Sequence, residues 1–440
     1  MKRPFLFLIL ISWHLLSSAQ NNTNSIDSVL SYMHRTYFFD GVVLVAKKDS
    51  VIYKEAFGLA NRDWNIENRM DTKFRLGSMS KQFIGFLTII LAEEGRFKLT
   101  EPVGRWLPEF SVSDKKNITI QNLLTHTSGI YDYTEMPDFN SMVLYPEDSL
   151  VKMIASHALN FPPSEKYSYS NSNFYLLTVI AEKVSGRKFE DLLKEKILIP
   201  AGMTKSGIDH NDNILANRAS PYMHTMSGFI NGEYIQMDNV AGGMYSTAYD
   251  LLNWSVYIQK RLGKDEFLKS TLQPFHLTDG TLIIYSCGWC LMPDRLMHQG
   301  HINGFANQIS IDTINHHTII ILSNDNFKQL YVTGKTISSI LNKDKNPLNW
   351  ISEKIPLSLM NEYTGLYVFG KDSVWSKIEH GEFTSYYDGH PMPQWFPFFK
   401  DEFFSGVFEG NIMYIRNKEG QVTGVNIFDN YHWDEWKKIR

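Results

Sequence analysis

Residues Phe83-Ile84-Gly85-Phe86-Leu87-Thr88-Ile89-Ile90-Leu91 are the most demanding stretch of this chain. The run is apolar nearly all round, so as a helix it offers water no polar face and must lie inside a surrounding core. Glu93-Glu94-Gly95 closes it with a glycine stop. At its other end stands Gly77-Ser78-Met79-Ser80-Lys81. On a helix, positions i and i+3 share a face, so the Lys81 amine can reach the Ser78 hydroxyl. Burial lowers a lysine pKa and fits the amine for proton transfer. A helix N-terminus also favours negative charge developing on a nearby oxygen.

The Ser-x-x-Lys spacing occurs four times, starting at Ser78, Ser113, Ser149 and Ser185. Ser113 sits in the charged stretch Ser113-Asp114-Lys115-Lys116. Ser149 begins a helix with Lys152 in its first turn, as an ordinary cap does. Ser185 precedes Gly186-Arg187-Lys188, a helix-ending turn. Only Ser78 is backed by a buried helix, which makes it the candidate nucleophile; a helix cap beside a snorkelling lysine is the alternative at this stage.

Two further segments carry chemistry. Tyr169 alone among the 22 tyrosines opens a Tyr-x-Asn, in Tyr167-Ser168-Tyr169-Ser170-Asn171. A tyrosine beside an ammonium can have a lowered pKa and shuttle protons, and an asparagine can hold a substrate amide; a plain turn into the helix Phe174 to Val184 is the competing reading. His298-Gln299-Gly300-His301-Ile302-Asn303 places two histidines close together, but no acidic or cysteine partner stands at metal-ligand spacing. Gly300 on a strand edge would permit close approach of a substrate backbone, and the N–H of His301 would then help form an oxyanion hole. No Gly-x-Ser-x-Gly elbow exists, which disfavours the other common serine-hydrolase architecture.

The N-terminus bears on compartment. Lys2 and Arg3 precede an apolar run, Phe5 to Leu16, and the small residues Ser17-Ser18-Ala19. That is the pattern of a secretory signal peptide over residues 1–19, too short to span a bilayer, and it predicts a secreted, periplasmic protein beginning at Gln20; an uncleaved anchor is the alternative. The remaining chain of about 420 residues predicts two domains. Net charge is -4, with no basic stripe and no later run of membrane length. Nucleic acid and stable membrane insertion are thereby excluded as partners. The only cysteines, Cys287 and Cys290, lack the second pair a tetrahedral zinc needs and read as strand residues on opposite faces.

Ser25 to Arg35 predicts a helix with Ile26, Val29, Leu30 and Met33 along one side. Strands are predicted at 41–46 and 51–56, joined by the polar turn Lys47-Lys48-Asp49-Ser50, and again at 281–292, 306–312 and 317–323. Helical and mixed segments fill the interval between, so the expected class is α+β, an antiparallel sheet with flanking helices closed by its own N-terminal hairpin. After the helix Tyr331 to Asn342, Lys343-Asp344-Lys345-Asn346-Pro347 breaks the pattern. The expected boundaries are a hydrolase domain over 20–345, a linker over 346–360 and a small all-β domain over 361–440. Nineteen of the last eighty residues are aromatic, against 14% for the whole chain, which suits an aromatic β core more than a ligand-binding face.

Taken together, these segments resemble the serine β-lactamase and penicillin-binding-protein superfamily, in its class C β-lactamase-like branch, which also holds D-aminopeptidases, D-alanyl-D-alanine carboxypeptidases and esterases. The likeness runs over residues 25 to 342. Phe74 to Phe83 is similar to the family's nucleophile segment, and Leu123-Leu124-Thr125-His126-Thr127-Ser128-Gly129 to its LLTHTSG stretch. Ile199-Pro200-Ala201-Gly202-Met203 resembles its PLGM turn, and Ala241-Gly242-Gly243-Met244-Tyr245-Ser246-Thr247 its GGLYST segment.

The resemblance implies a β-lactamase/transpeptidase-like fold and a division of labour. Ser78 attacks the carbonyl and Lys81 helps deprotonate it. Tyr169 acts as base and then as proton donor to the leaving group. Asn171 binds the substrate amide, and the N–H groups of Ser78 and His301 form the oxyanion hole. His298-Gln299-Gly300 occupies the Lys-Thr-Gly strand, where β-lactamases usually keep a lysine beside the drug's carboxylate. A histidine there fits a peptidase or esterase better. The expectation is an extracytoplasmic serine hydrolase cleaving an amide or ester in a small molecule or peptide, D-amino-acid-containing peptides leading, with no cofactor or metal. A class C-like β-lactamase is the alternative enzyme, and a non-hydrolytic penicillin- or peptide-binding sensor the alternative of another class.

Overall fold

Two strands at the start of the chain, β1 (Gly41–Lys47) and β2 (Ser50–Phe57), form the predicted hairpin. β1 also pairs with a strand nearly three hundred residues later, Gly41 opposite Ser323 through Lys47 opposite His317. The computed structural model describes residues 22–36, 38–225, 228–236, 242–327, 329–343, 360–379, 382–391, 395–399, 401–405, 411–429 and 432–439. The expected leader, and the expected linker save Met360, lie outside these residues.

The chain divides into two compact units, Ser31–Phe327 and a second combining Met1–Leu30 with Lys328–Arg440. The first is built on a seven-stranded antiparallel sheet. Its remaining strands are β3 (Tyr285–Ser286), β4 (Trp289–Met292), β5 (Arg295–Ile302), β6 (Phe305–Asp312) and β7 (His317–Ser323), in the order β3-β4-β5-β6-β7-β1-β2. Every residue of β6 and β7 is buried, as in a sheet covered on both faces.

Helix α1 (Lys81–Glu93) is the apolar run, and every residue from Lys81 to Ala92 is buried. It packs on α2 (Asn171–Ser185), while α3 (Ala248–Leu262) lies against β1 and β7. Trp254 of α3 packs with its ring centroid 4.7 Å from that of Phe83 and donates its indole N–H to Gln82 at 2.9 Å. The buried Gln82 amide oxygen is thereby given a donor. Gly85 is demanded by the β3–β4 turn, because a methyl there would stand 2.3 Å from the Cys287 carbonyl oxygen.

That turn corrects one expectation. Cys287 lies not on a strand but in the tight turn between β3 and β4, with φ +55, and only Cys290 is a strand residue. The dipeptide Cys287-Gly288 turns the chain with both φ values positive, the conformation a two-residue hairpin needs. Both thiols are free and buried.

In the second unit, residues 22–30 are helical and Ile26, Val29 and Leu30 are buried as their spacing predicts. Leu330–Asn342 is the predicted helix, and it groups with this unit. From Gly365 onward a nine-stranded antiparallel sheet forms, in which Gly365–Phe369 pairs with the last strand, His432–Lys438. Aromatic residues fill its core: Tyr363 lies 4.6 Å from Tyr414 and 4.9 Å from Phe403.

Candidate active site

Ser78 occupies a single tight helical turn, Gly77–Ser80, that runs directly into α1. Gly77 enters it at φ +56, which glycine adopts without a Cβ penalty. The turn rests on β5, and two glycines make the approach possible. A methyl on Gly300 would stand 1.9 Å from the Leu76 carbonyl oxygen, and one on Gly77 would stand 2.7 Å from that of His301. Gly300 thus admits the nucleophile's own turn. The same contact sets the backbone of His301 beside that of Ser78.

Lys81 is completely buried. Its Nζ donates to Ser78 Oγ at 3.1 Å and to Asn171 Oδ1 at 2.8 Å. Burial, partly opposed by the Asp132 carboxylate, lowers its pKa from the ordinary 10.5 to about 7. Near neutral pH a large fraction of the amine is therefore unprotonated and able to accept the Ser78 proton.

Asn171 begins α2, just after the cap residue Ser170. Its backbone N–H donates to Asp132 Oδ2 at 2.8 Å and its side-chain amide donates to the same oxygen at 2.9 Å. The Thr134 hydroxyl gives and the Thr134 N–H adds a further bond to Asp132 Oδ1, at 2.8 and 2.9 Å. Asn171 is thus held from both ends, amide to carboxylate and carbonyl to lysine.

The ring of Tyr169 lies 4.9 Å from Lys81 Nζ, and its hydroxyl is buried. Burial raises its pKa, outweighing the opposing influence of the nearby Ser78 side chain. The expected lowering beside an ammonium does not occur, because desolvation of the buried phenol dominates. Behind Tyr169, His126 packs at 4.3 Å ring to ring. Its Nδ1 accepts the Ser170 N–H at 3.1 Å and the Asn173 amide at 3.0 Å. Burial, with Lys81 and His298 nearby, holds the His126 pKa well below the ordinary value.

His298 is also completely buried, its Nε2 bonded to the Tyr285 hydroxyl at 2.9 Å and its Nδ1 to the Gln299 carbonyl. Burial lowers its pKa to about 3, so the ring is neutral. The ring is not among the residues lining the cleft and carries no charge for a ligand. The cleft itself, about 430 Å³, opens over Ser78, Asn171 and His301, with Tyr133, Phe139 and Ile235 among its walls. The structure therefore brings Ser78, Lys81, Tyr169, Asn171 and His301 together and sets Gly300 and His298 behind them.

Asp132 and His126 are functional supports that local spacing did not identify. Arg75 is another: it donates to Asp209 at 2.6 Å and to the Ile235 carbonyl at 2.9 Å, tying the nucleophile segment to the cleft wall.

Comparison with known proteins agrees with this geometry. Residues 31–336 match the family described as Beta-lactamase. Penicillin-binding protein 4* of Bacillus subtilis (strain 168) is 28% identical over 335 residues, spanning 69% of this chain and 72% of its own. Protein flp of Staphylococcus aureus (strain MRSA252) is 23% identical over 82% of this chain and 76% of its own. Among solved structures, the octameric penicillin-binding protein homologue from Pyrococcus abyssi superposes with a TM-score of 0.67 at 19% identity, covering 94% of this chain and 99% of its own. A class C beta-lactamase gives 0.62 at 20% identity, over 74% and 96%. At these identities the structures speak for the fold. With the family matched over most of its length and the fold the same, the chain belongs to the Beta-lactamase family of serine hydrolases and penicillin-binding proteins.

Proposed function

We propose that this protein is an extracytoplasmic serine hydrolase that cleaves an amide or ester through an acyl-Ser78 intermediate. The observation that carries the reading is the Ser78 hydroxyl held 3.1 Å from a buried lysine whose pKa has fallen to about 7. The leader pattern of residues 1–19 supports export.

In the proposed reaction, the neutral Lys81 amine takes the Ser78 proton as Oγ bonds to the substrate carbonyl carbon. The N–H groups of Ser78 and His301 receive the charge that develops on the carbonyl oxygen. Tyr169, neutral at rest, gives its proton to the leaving oxygen or nitrogen as that bond breaks and is reprotonated from the Lys81 ammonium. Water then returns along the same path: its proton passes to the Tyr169–Lys81 pair, its oxygen attacks the acyl carbon, and Ser78 leaves with a proton restored. A neutral, buried His298 supports peptidase or esterase action over β-lactam hydrolysis, since it offers a drug carboxylate no cation.

The test is labelling with a fluorophosphonate probe. Wild-type protein is expected to be labelled at Ser78, and Ser78→Ala not at all. Equal labelling of both would overturn the assignment. Multiple turnovers of a nitrophenyl ester are expected; a single acylation with no release would favour the sensor reading.

A further inference from the structure

We propose that the acyl group accepted by this cleft is uncharged and apolar, so that the preferred substrates are neutral esters or amides rather than carboxylate-bearing peptides or β-lactams. The inference rests on the acyl-Ser78 reading above and concerns what that site will admit.

Three observations point the same way. First, among the described residues lining the cleft there is no lysine, arginine, aspartate or glutamate. The one lysine at the centre is buried beneath the cleft and spent on Ser78 and Asn171. Second, the buried Arg75 guanidinium behind Ile235 is taken up by Asp209, Asn211 and the Ile235 carbonyl, and the charge that meets the lining residue Asn303 is the Glu233 carboxylate, accepting at 3.3 Å. It is exposed and screened, so its hold on a cation is weak. A substrate carboxylate entering here would lose water and meet no counter-charge.

Third, one wall is apolar and stays open to solvent. Phe139, Val143, Ile235 and Ile302 line the cleft. Val143 is 46% exposed, and its neighbours Met142 and Leu144 are 51% and 53% exposed. Three consecutive exposed apolar residues at the mouth of a catalytic cleft form a surface that a ligand can cover. The wall is also braced. Phe139 meets Tyr133 edge to face at 4.9 Å and stacks on Tyr145 at 5.4 Å, and the Gln236 N–H donates to the Ser141 carbonyl at 2.9 Å, joining the two loops. An acyl chain leaving Ser78 along this wall would exchange water for aliphatic and aromatic contact.

The test uses the full-length protein and ester pairs that differ by one charge. Pentanoate is compared with its carboxylate-ended glutarate counterpart, butanoate with 4-aminobutanoate, and phenyl with 3-carboxyphenyl leaving groups. Neutral members are expected to lead in kcat/KM by at least about tenfold, with about a fourfold gain per added methylene until the wall is covered. Val143→Lys, at a solvent-exposed position, is expected to raise glutarate turnover relative to pentanoate. Equal or faster turnover of the anionic or cationic members, with Ser78 labelled by fluorophosphonate, would overturn the substrate inference alone. Absence of labelling would overturn the catalytic reading and this inference together.

Discussion

The Asp132 carboxylate accepts two hydrogen bonds from Asn171, 2.8 Å from its backbone N–H and 2.9 Å from its side-chain amide. One oxygen thus fixes both the start of α2 and the orientation of the asparagine whose own oxygen meets Lys81 at 2.8 Å. Asp132 also opposes the discharge of Lys81 by its charge. One buried acid therefore both orients the lysine's partner and partly offsets the burial that lowers the lysine's pKa.

Asp132→Asn separates the two effects. Removing the negative charge removes an influence that raises the Lys81 pKa, so the acid limb of the kcat/KM profile is expected to move to lower pH. Charge-assisted bonds contribute roughly 1.5–3 kcal/mol each, so the plateau rate is expected to fall about tenfold or more. A pH profile of wild type and variant checks this, and a drop in plateau with an unmoved limb would mean that Asp132 acts only as a brace.

The pH dependence of Lys81 itself has a worked sign. Its folded pKa is lowered to about 7 from the ordinary 10.5. Ester turnover should therefore rise through about pH 7 as the amine becomes neutral. Between about 7 and 10.5 the unfolded chain holds a proton that the folded chain lacks, so this group makes stability rise with pH over that window. Each pH unit there is worth about 1.4 kcal/mol. Lys81→Met is accordingly expected to abolish turnover while raising Tm at pH 7 to 8. Thermal unfolding across that range checks it; a lower Tm would show that the bonds to Ser78 and Asn171 outweigh the cost of burial.

Gly300→Ala asks whether β5 and the nucleophile turn are in contact. The added methyl would lie 1.9 Å from the Leu76 carbonyl oxygen and 2.8 Å from the Met79 nitrogen, both backbone atoms that cannot swing aside. Overpacking of this kind costs about 1–3 kcal/mol. The expected result is a lower Tm and a slower fluorophosphonate reaction at Ser78. Unchanged reaction rates would mean the turn can retreat without losing its aim.

How much of this was legible follows from distance along the chain. Ser78 and Lys81 are three residues apart, so helical periodicity alone joins them, and the apolar run behind them announces burial. Tyr169 and Asn171 are likewise one local segment. Asp132 reaches Asn171 across the fold, and nothing in Tyr131-Asp132-Tyr133 reveals that its side chain turns inward. Gly300 was legible as a place of close approach, but only the packing of β5 on the Leu76–Met79 backbone says what approaches. The direction of the Tyr169 shift failed for a related reason: proximity to lysine is local, whereas desolvation belongs to the whole surrounding core. Cys287 reads as strand by hydropathy, yet the glycine after it and the crowding against Gly85 make it a turn.

The buried ion pair behind the cleft gives a last prediction. Arg75 is almost fully buried and donates to Asp209 at 2.6 Å, while Arg218 reaches the other Asp209 oxygen at 2.8 Å. The remaining Arg75 donors go to the Ile235 carbonyl, at 2.9 Å, and to Asn211. Asp209→Asn would leave a guanidinium in the interior without its counter-charge. Breaking a buried pair from one side costs about 3–5 kcal/mol. Urea denaturation is expected to show a loss of that order. Because Arg75 leads directly into Leu76 and Gly77 and also anchors Ile235, the damage should reach the cleft. KM for a neutral ester should rise more than kcat falls, since the Ile235 wall loosens while Lys81 stays on α1 and the Ser78 turn stays packed on β5. A stability loss with unchanged KM would confine Asp209 to the scaffold.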